Sequence, residues 1–121
     1  SAFKPFDDVS VNGQLTLGEN IGDLGGMVVA YEAYQMSLEG KPAPHMDGFS
    51  GEQRFFLGWA QVWRRSYREE ELRQRLVTDP HSPSEYRVNG IMMNMPEFYR
   101  SFNVKPGDKL YLKPEDRVVI W

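Results

Sequence analysis

The chain has 121 residues, 40% hydrophobic, 26% charged and 13% aromatic, and its 14 basic and 17 acidic residues leave a net charge of −3. That length suits one domain burying roughly two-thirds of its unfolded surface, and seven Phe, six Tyr and three Trp supply too much apolar area for disorder. Mild acidity argues against a nucleic-acid binder, which would carry a basic face, and the lack of cysteine excludes disulfides, thiolate metal sites and cysteine nucleophiles.

Residues 9–15 alternate around the pair Asn12-Gly13, which predicts a hairpin or tight turn. Thr16-Leu17-Gly18-Glu19 has capping-box spacing, with a helix to about Ser37 behind it. Leu17, Ile21, Leu24, Val28 and Tyr31 recur at steps of four and three and mark its core-facing stripe. Gly22, Gly26 and Ala30 repeat every four residues on the opposite side. Glycine inside a helix costs roughly 1 kcal/mol against alanine, so a second backbone is expected close against that side.

A loop rich in Gly and Pro, residues 40–48, leads to a second capping box at Ser50-Gly51-Glu52-Gln53. The helix from Gly51 carries Phe55, Phe56, Trp59, Val62 and Trp63, the expected centre of the core. Its continuation over residues 64–75 is densely charged and faces solvent, with Leu72 and Leu76 keeping contact. Pro80 and Pro83 bracket His81 in a loop. Residues 87–90 are expected as a short extended piece and turn, Pro96 to Phe102 as a helix opened by proline, and Pro106-Gly107-Asp108 as a turn. The chain closes on two short apolar runs, Leu110-Tyr111-Leu112 and Val118-Val119-Ile120-Trp121. The fold class is mainly α, helices with short extended pieces.

Chemistry concentrates in two places. Glu19 and Asp23 stand four apart on the small-residue side of the first helix, so their carboxylates project together. A capping role explains Glu19 alone. Asp23 has no such reason, and like charge at this spacing costs a few tenths of a kcal/mol. A metal ligand with a supporting carboxylate is the sharper reading, although chance spacing favours the plainer one. His81 lies in a proline-stiffened loop with Asp79 two residues before it and Arg87 six after it. Stiff loops of this kind hold donors ready for a developing oxyanion, and a nearby carboxylate fixes the imidazole tautomer; a surface turn histidine is the equal alternative. His45, in the Pro/Gly loop, reads as an ordinary loop histidine, and no phosphate loop, Gly-x-Ser-x-Gly or His-Glu-x-x-His motif is present.

Taken together, four runs resemble, in order, the C-terminal end of the neprilysin-like zinc metallopeptidases, the family that includes the endothelin-converting enzymes and bacterial oligopeptidases. They are Val11-Asn12-Gly13 through Leu17-Gly18-Glu19-Asn20-Ile21-Gly22-Asp23-Leu24-Gly25-Gly26; Gln53-Arg54-Phe55-Phe56 through Trp59-Ala60-Gln61-Val62-Trp63-Arg64; Asp79-Pro80-His81-Ser82-Pro83 with Arg87-Val88-Asn89-Gly90; and the Trp121 terminus. The resemblance spans residues 11–121 and implies a thermolysin-like metallopeptidase architecture. It implies that Glu19 is the third protein ligand of one zinc ion, completing a two-histidine, one-glutamate site. Asp23 would orient a zinc-bound histidine, His81 with Asp79 would steady the oxyanion, and Arg87 would grip the substrate backbone. The small-residue side of the first helix would then lie against the helix bearing the two histidines.

That His-Glu-x-x-His helix lies upstream in the family and is absent here. Residues 1–121 are therefore expected to be a single C-terminal fragment of a catalytic domain, inactive alone, whose partners are a peptide substrate and the upstream part of the same domain. Starting at Ser1 rather than Met, the chain reads as a processed or trimmed product. Animal members carry a cysteine near their last tryptophan where this chain has Val118, so a bacterial member is expected. An extracytoplasmic location follows from the resemblance alone. The rival expectation is a stand-alone, non-catalytic interaction domain derived from the same family, and an open groove could recruit a second copy.

Overall fold

A computed structural model of the chain describes residues 3–121. Among them are the helices α1 (Gly13–Ser37), α2 (Gly51–Val62), α3 (Glu69–Thr78), α4 (Ser84–Met92) and α5 (Pro96–Phe102), then a 3-10 turn at Pro114–Asp116. Extended pairing among the described residues is limited to two isolated bridges, Phe6 with Val9 and Met46 with Phe49. The fold is mainly α, and the terminal apolar runs form irregular chain.

α1 begins earlier than its sequence suggests. Asn12 caps it, the side-chain oxygen accepting from the Gln14 and Leu15 amides at 3.1 Å each. The hairpin expected at residues 9–15 is therefore replaced by a helix start, because the asparagine that suits a tight turn suits an N-cap equally well. Thr16 lies inside the helix, buried, its hydroxyl donating to the Asn12 carbonyl at 2.9 Å. Glu19 thus takes no part in a cap. In α2 the capping box is complete, with the Ser50 side chain accepting from the Gln53 amide and the Gln53 side chain from the Ser50 amide.

Residues 64–75 do not simply continue α2. The chain breaks after Trp63, and three glutamates at residues 69–71 open α3, where acidic charge complements the helix dipole. Tyr67 ties the break back to α4, its hydroxyl 2.8 Å from Ser84 Oγ and accepting from the Ser84 amide. Residues 87–90 lie within α4 rather than in an extended turn. Pro83 starts that helix, its carbonyl accepting from the Tyr86 and Arg87 amides. Gly90 is needed for packing, since a Cβ there would stand 2.8 Å from the Phe3 ring.

α1 packs on α4, and α2 packs on α4 and α5. Phe56 and Met95 are fully enclosed, joined by Leu24, Met27, Ile91, Met92, Phe98 and Tyr99. Tyr31 and Phe98 meet Phe56 at ring-centroid distances of 5.9 and 5.7 Å. The expected stripe on α1 is buried only at Leu24 and partly at Val28 and Tyr31, whereas Leu17 and Ile21 remain exposed along an open apolar groove shared with Leu110 and Ile120. On the small-residue side no described residue lies within 4 Å of a Cβ built at Gly22 or Gly26. That side instead forms one wall of an open groove of about 400 Å³, with Phe55, Trp59 and Val62 opposite. The expected close backbone is thus not among the described residues.

Candidate functional site

The site forms where the loop after α3 and the first turns of α4 meet the N-terminal half of α1. Asp79 ends α3. Its Oδ1 accepts from the His81 amide at 2.9 Å and lies 2.7 Å from His81 Nδ1, so one short turn sets both backbone and ring. The opposite ring nitrogen, Nε2, faces Glu19 Oε2 at 3.3 Å, with the Glu19 side chain 49% exposed. Asp79 Oδ2 also takes a longer contact of 3.4 Å from Arg75. Burial pushes the Asp79 carboxyl up, but the His81 backbone and ring hydrogen bonds, helped by Arg75, outweigh it and hold the group below its ordinary value.

One helical turn along α1, Asp23 binds Arg87 through two parallel hydrogen bonds of 2.7 Å, from Nε and Nη2. The pair is largely enclosed, with side chains 10% and 16% exposed. Arg87 is held on two further sides: its guanidinium lies 3.8 Å over the Trp63 ring, and its carbonyl accepts the Trp59 indole N–H at 3.0 Å. The hydrogen bonds that Arg87 donates to Asp23 raise the Arg87 pKa against the opposing effect of burial, with Glu19 and Asp79 adding attraction. The arginine is a fixed cation whose Nη1 remains outside the pairing with Asp23.

Glu19, Asp23, Asp79, His81 and Arg87 therefore lie together on one side of α1, beside the small-residue groove. His45 belongs to a separate loop, before the Met46–Phe49 bridge. Among the described residues no group of three or more His, Cys, Asp or Glu could hold a metal ion, and no helix is long and apolar enough to cross a membrane.

The model of peptidase family M13 matches residues 1–118. The chain belongs to peptidase family M13. It is 42% identical over 119 residues to Caenorhabditis elegans Neprilysin-1, covering 94% of this chain and 16% of that protein. Against human endothelin-converting enzyme 1 it is 43% identical over 114 residues, covering 92% and 14%. Among solved structures, Mycobacterium tuberculosis zinc metalloprotease Zmp1, in complex with an inhibitor, superposes with a TM-score of 0.91 at 54% identity, over 93% of this chain and 17% of that one. PepO from Lactobacillus rhamnosis superposes with a TM-score of 0.78 at 36% identity, over 98% and 17%. The chain thus spans about a sixth of the length of its M13 relatives.

Three contributions to the candidate site escape sequence reasoning. Trp63 reads as core, yet it is the platform under Arg87. Asn20 and Ser82 each follow a candidate site residue and bond to one another at 2.8 Å. Their adjacency to Glu19 and His81 is the only signal in the sequence; the pairing itself is tertiary.

Proposed function

We propose that this chain is the C-terminal portion of the catalytic domain of a zinc metalloendopeptidase of family M13, with Glu19 as the third protein ligand of the metal. The observation that carries this reading is the convergence of Glu19, His81 and the Asp23–Arg87 pair beside an open groove. Glu19 offers a half-exposed carboxylate. With no complete donor set among the described residues, the chemistry here fits one ligand of a site completed by two imidazoles from the upstream part of the protein. Zinc bound there supplies a Lewis acid for the scissile carbonyl.

The roles of the chain's own residues follow from their geometry. With Nδ1 committed to Asp79, His81 presents Nε2, here 3.3 Å from Glu19 Oε2, as the ring nitrogen that would donate to the carbonyl oxygen as negative charge develops there once Glu19 holds the metal. Arg87, stacked and paired, has Nη1 free to donate to a substrate backbone carbonyl. Asp23 uses two lone pairs on Arg87 and retains others, enough to orient an upstream imidazole. That upstream helix would lie in the small-residue groove; without it the chain has no general base and cleaves nothing, and its open groove leaves room for self-association. The 54% identity to a mycobacterial protein, against 42–43% for the animal relatives above, supports a bacterial member. An extracytoplasmic site of action is part of the same reading.

The test is His81→Ala in the intact enzyme. Turnover of a peptide substrate is expected to fall about 10²- to 10³-fold with zinc content unchanged. An unchanged rate would remove His81 from the mechanism, and a wild-type protein that binds zinc yet cleaves no peptide would favour a non-catalytic interaction domain.

A further inference from the structure

Glu19 and His81 come from distant segments and touch only through a 3.3 Å contact between two exposed side chains. Such contacts are too weak to set their own geometry. What sets it lies one residue further along each segment. Ser82, buried, donates from Oγ to Asn20 Oδ1 at 2.8 Å, across a sequence separation of 62 residues. Asn20 Nδ2 donates to the buried Thr16 Oγ1 at 3.2 Å, and the Thr16 hydroxyl donates to the Asn12 carbonyl at 2.9 Å. The sequence of donors is self-consistent. The Thr16 proton is committed to Asn12, so Thr16 can only accept from Asn20, which turns the Asn20 carbonyl toward Ser82. Neighbouring residues on α1 therefore meet neighbouring residues of the facing segment: Glu19 faces His81, Asn20 holds Ser82, and Asp23 holds Arg87.

We propose that the Asn20–Ser82 hydrogen bond is a latch that sets the distance from Glu19 to His81, making Asn20 and Ser82 positioning residues for the peptidase chemistry; this rests on the function proposed above. Asp79 orients the imidazole within its own loop, while the Arg87–Asp23 pair anchors the following helix beyond Pro83. Among the described residues, only the latch ties the residue next to His81 to the residue next to Glu19.

In the intact enzyme, Ser82→Ala is expected to lower kcat about tenfold or more while KM and zinc content stay within about twofold, since small misplacements of a catalytic group act on kcat. Ser82→Thr, which keeps the hydroxyl, is expected to restore kcat. Ser101→Ala, which removes a hydroxyl bonded within α5 to the Glu97 carbonyl, is expected to change neither constant. In this chain, proton NMR is expected to show a through-space contact between the His81 ring and the Glu19 side chain in wild type and Ser82→Thr, absent in Ser82→Ala. Should Ser82→Ala fail to fold, Asn20→Ala carries the same comparison. An unchanged kcat, a persisting NMR contact, a loss that tracks zinc release, or failure of Ser82→Thr to rescue would overturn the latch. A wild-type enzyme that cleaves no peptide would overturn the function instead, and the NMR contact would then judge the latch by itself.

Discussion

Asp79 gathers the His81 amide, the His81 ring and the Arg75 guanidinium on one partly buried carboxylate, and its folded pKa lies below the ordinary value. A lowered carboxylate stabilises the fold at pH above its unfolded value, and that contribution is lost as pH falls through the folded one. Urea midpoints of wild type and Asp79→Asn should therefore differ near neutral pH and draw together as the pH falls below the ordinary aspartate value; a difference independent of pH would contradict this. At this scale the sequence singled out side chains that the fold does bring together, because prolines at 80 and 83 announce a stiff loop around His81. It did not show their partners. Asp23 looked like a carboxylate repelled by Glu19, yet in the structure Arg87 supplies its compensation from 64 residues away.

Helices α1 and α2 show how one residue type serves opposite ends. Gly51 is buried at the start of α2, where a Cβ would overlap the Tyr34 hydroxyl and the Ala43 methyl. Gly26 on α1 has open space around it among the described residues. In this chain Gly51→Ala is expected to lower stability by about 1–3 kcal/mol through overpacking, and Gly26→Ala to raise it by roughly 1 kcal/mol through helix propensity. Urea unfolding reads both, and a destabilising Gly26→Ala would mean the groove wall is not open. The capping box at Ser50 was legible because all its partners lie within one turn. Asn12 and the 87–90 segment were misread because Asn-Gly pairs mark turns locally, whereas here Pro83, Phe3 and the cap geometry decide.

The molecule as a whole is a helical core with unfinished business on α1. Phe56 and Met95 close the interior, and Trp121 returns to lie on Gly25, with its ring carbon 3.3 Å from where a Cβ would stand. The small-residue groove is left unfilled within the described residues, and beside it lies a single candidate zinc ligand. The sequence pattern predicts a second backbone close on that side, and none lies there among the described residues; the proposal above places it elsewhere in the protein, in keeping with a chain that spans about a sixth of the length of its M13 relatives. The central claim is that Glu19 holds zinc within that larger site. Its most direct test is the zinc content of the purified intact enzyme with and without Glu19→Gln, which keeps size and hydrogen bonding but removes the charge. The account predicts near-stoichiometric zinc in the wild type and a sharp loss of zinc and turnover in the variant; full zinc occupancy with normal turnover in Glu19→Gln would contradict it.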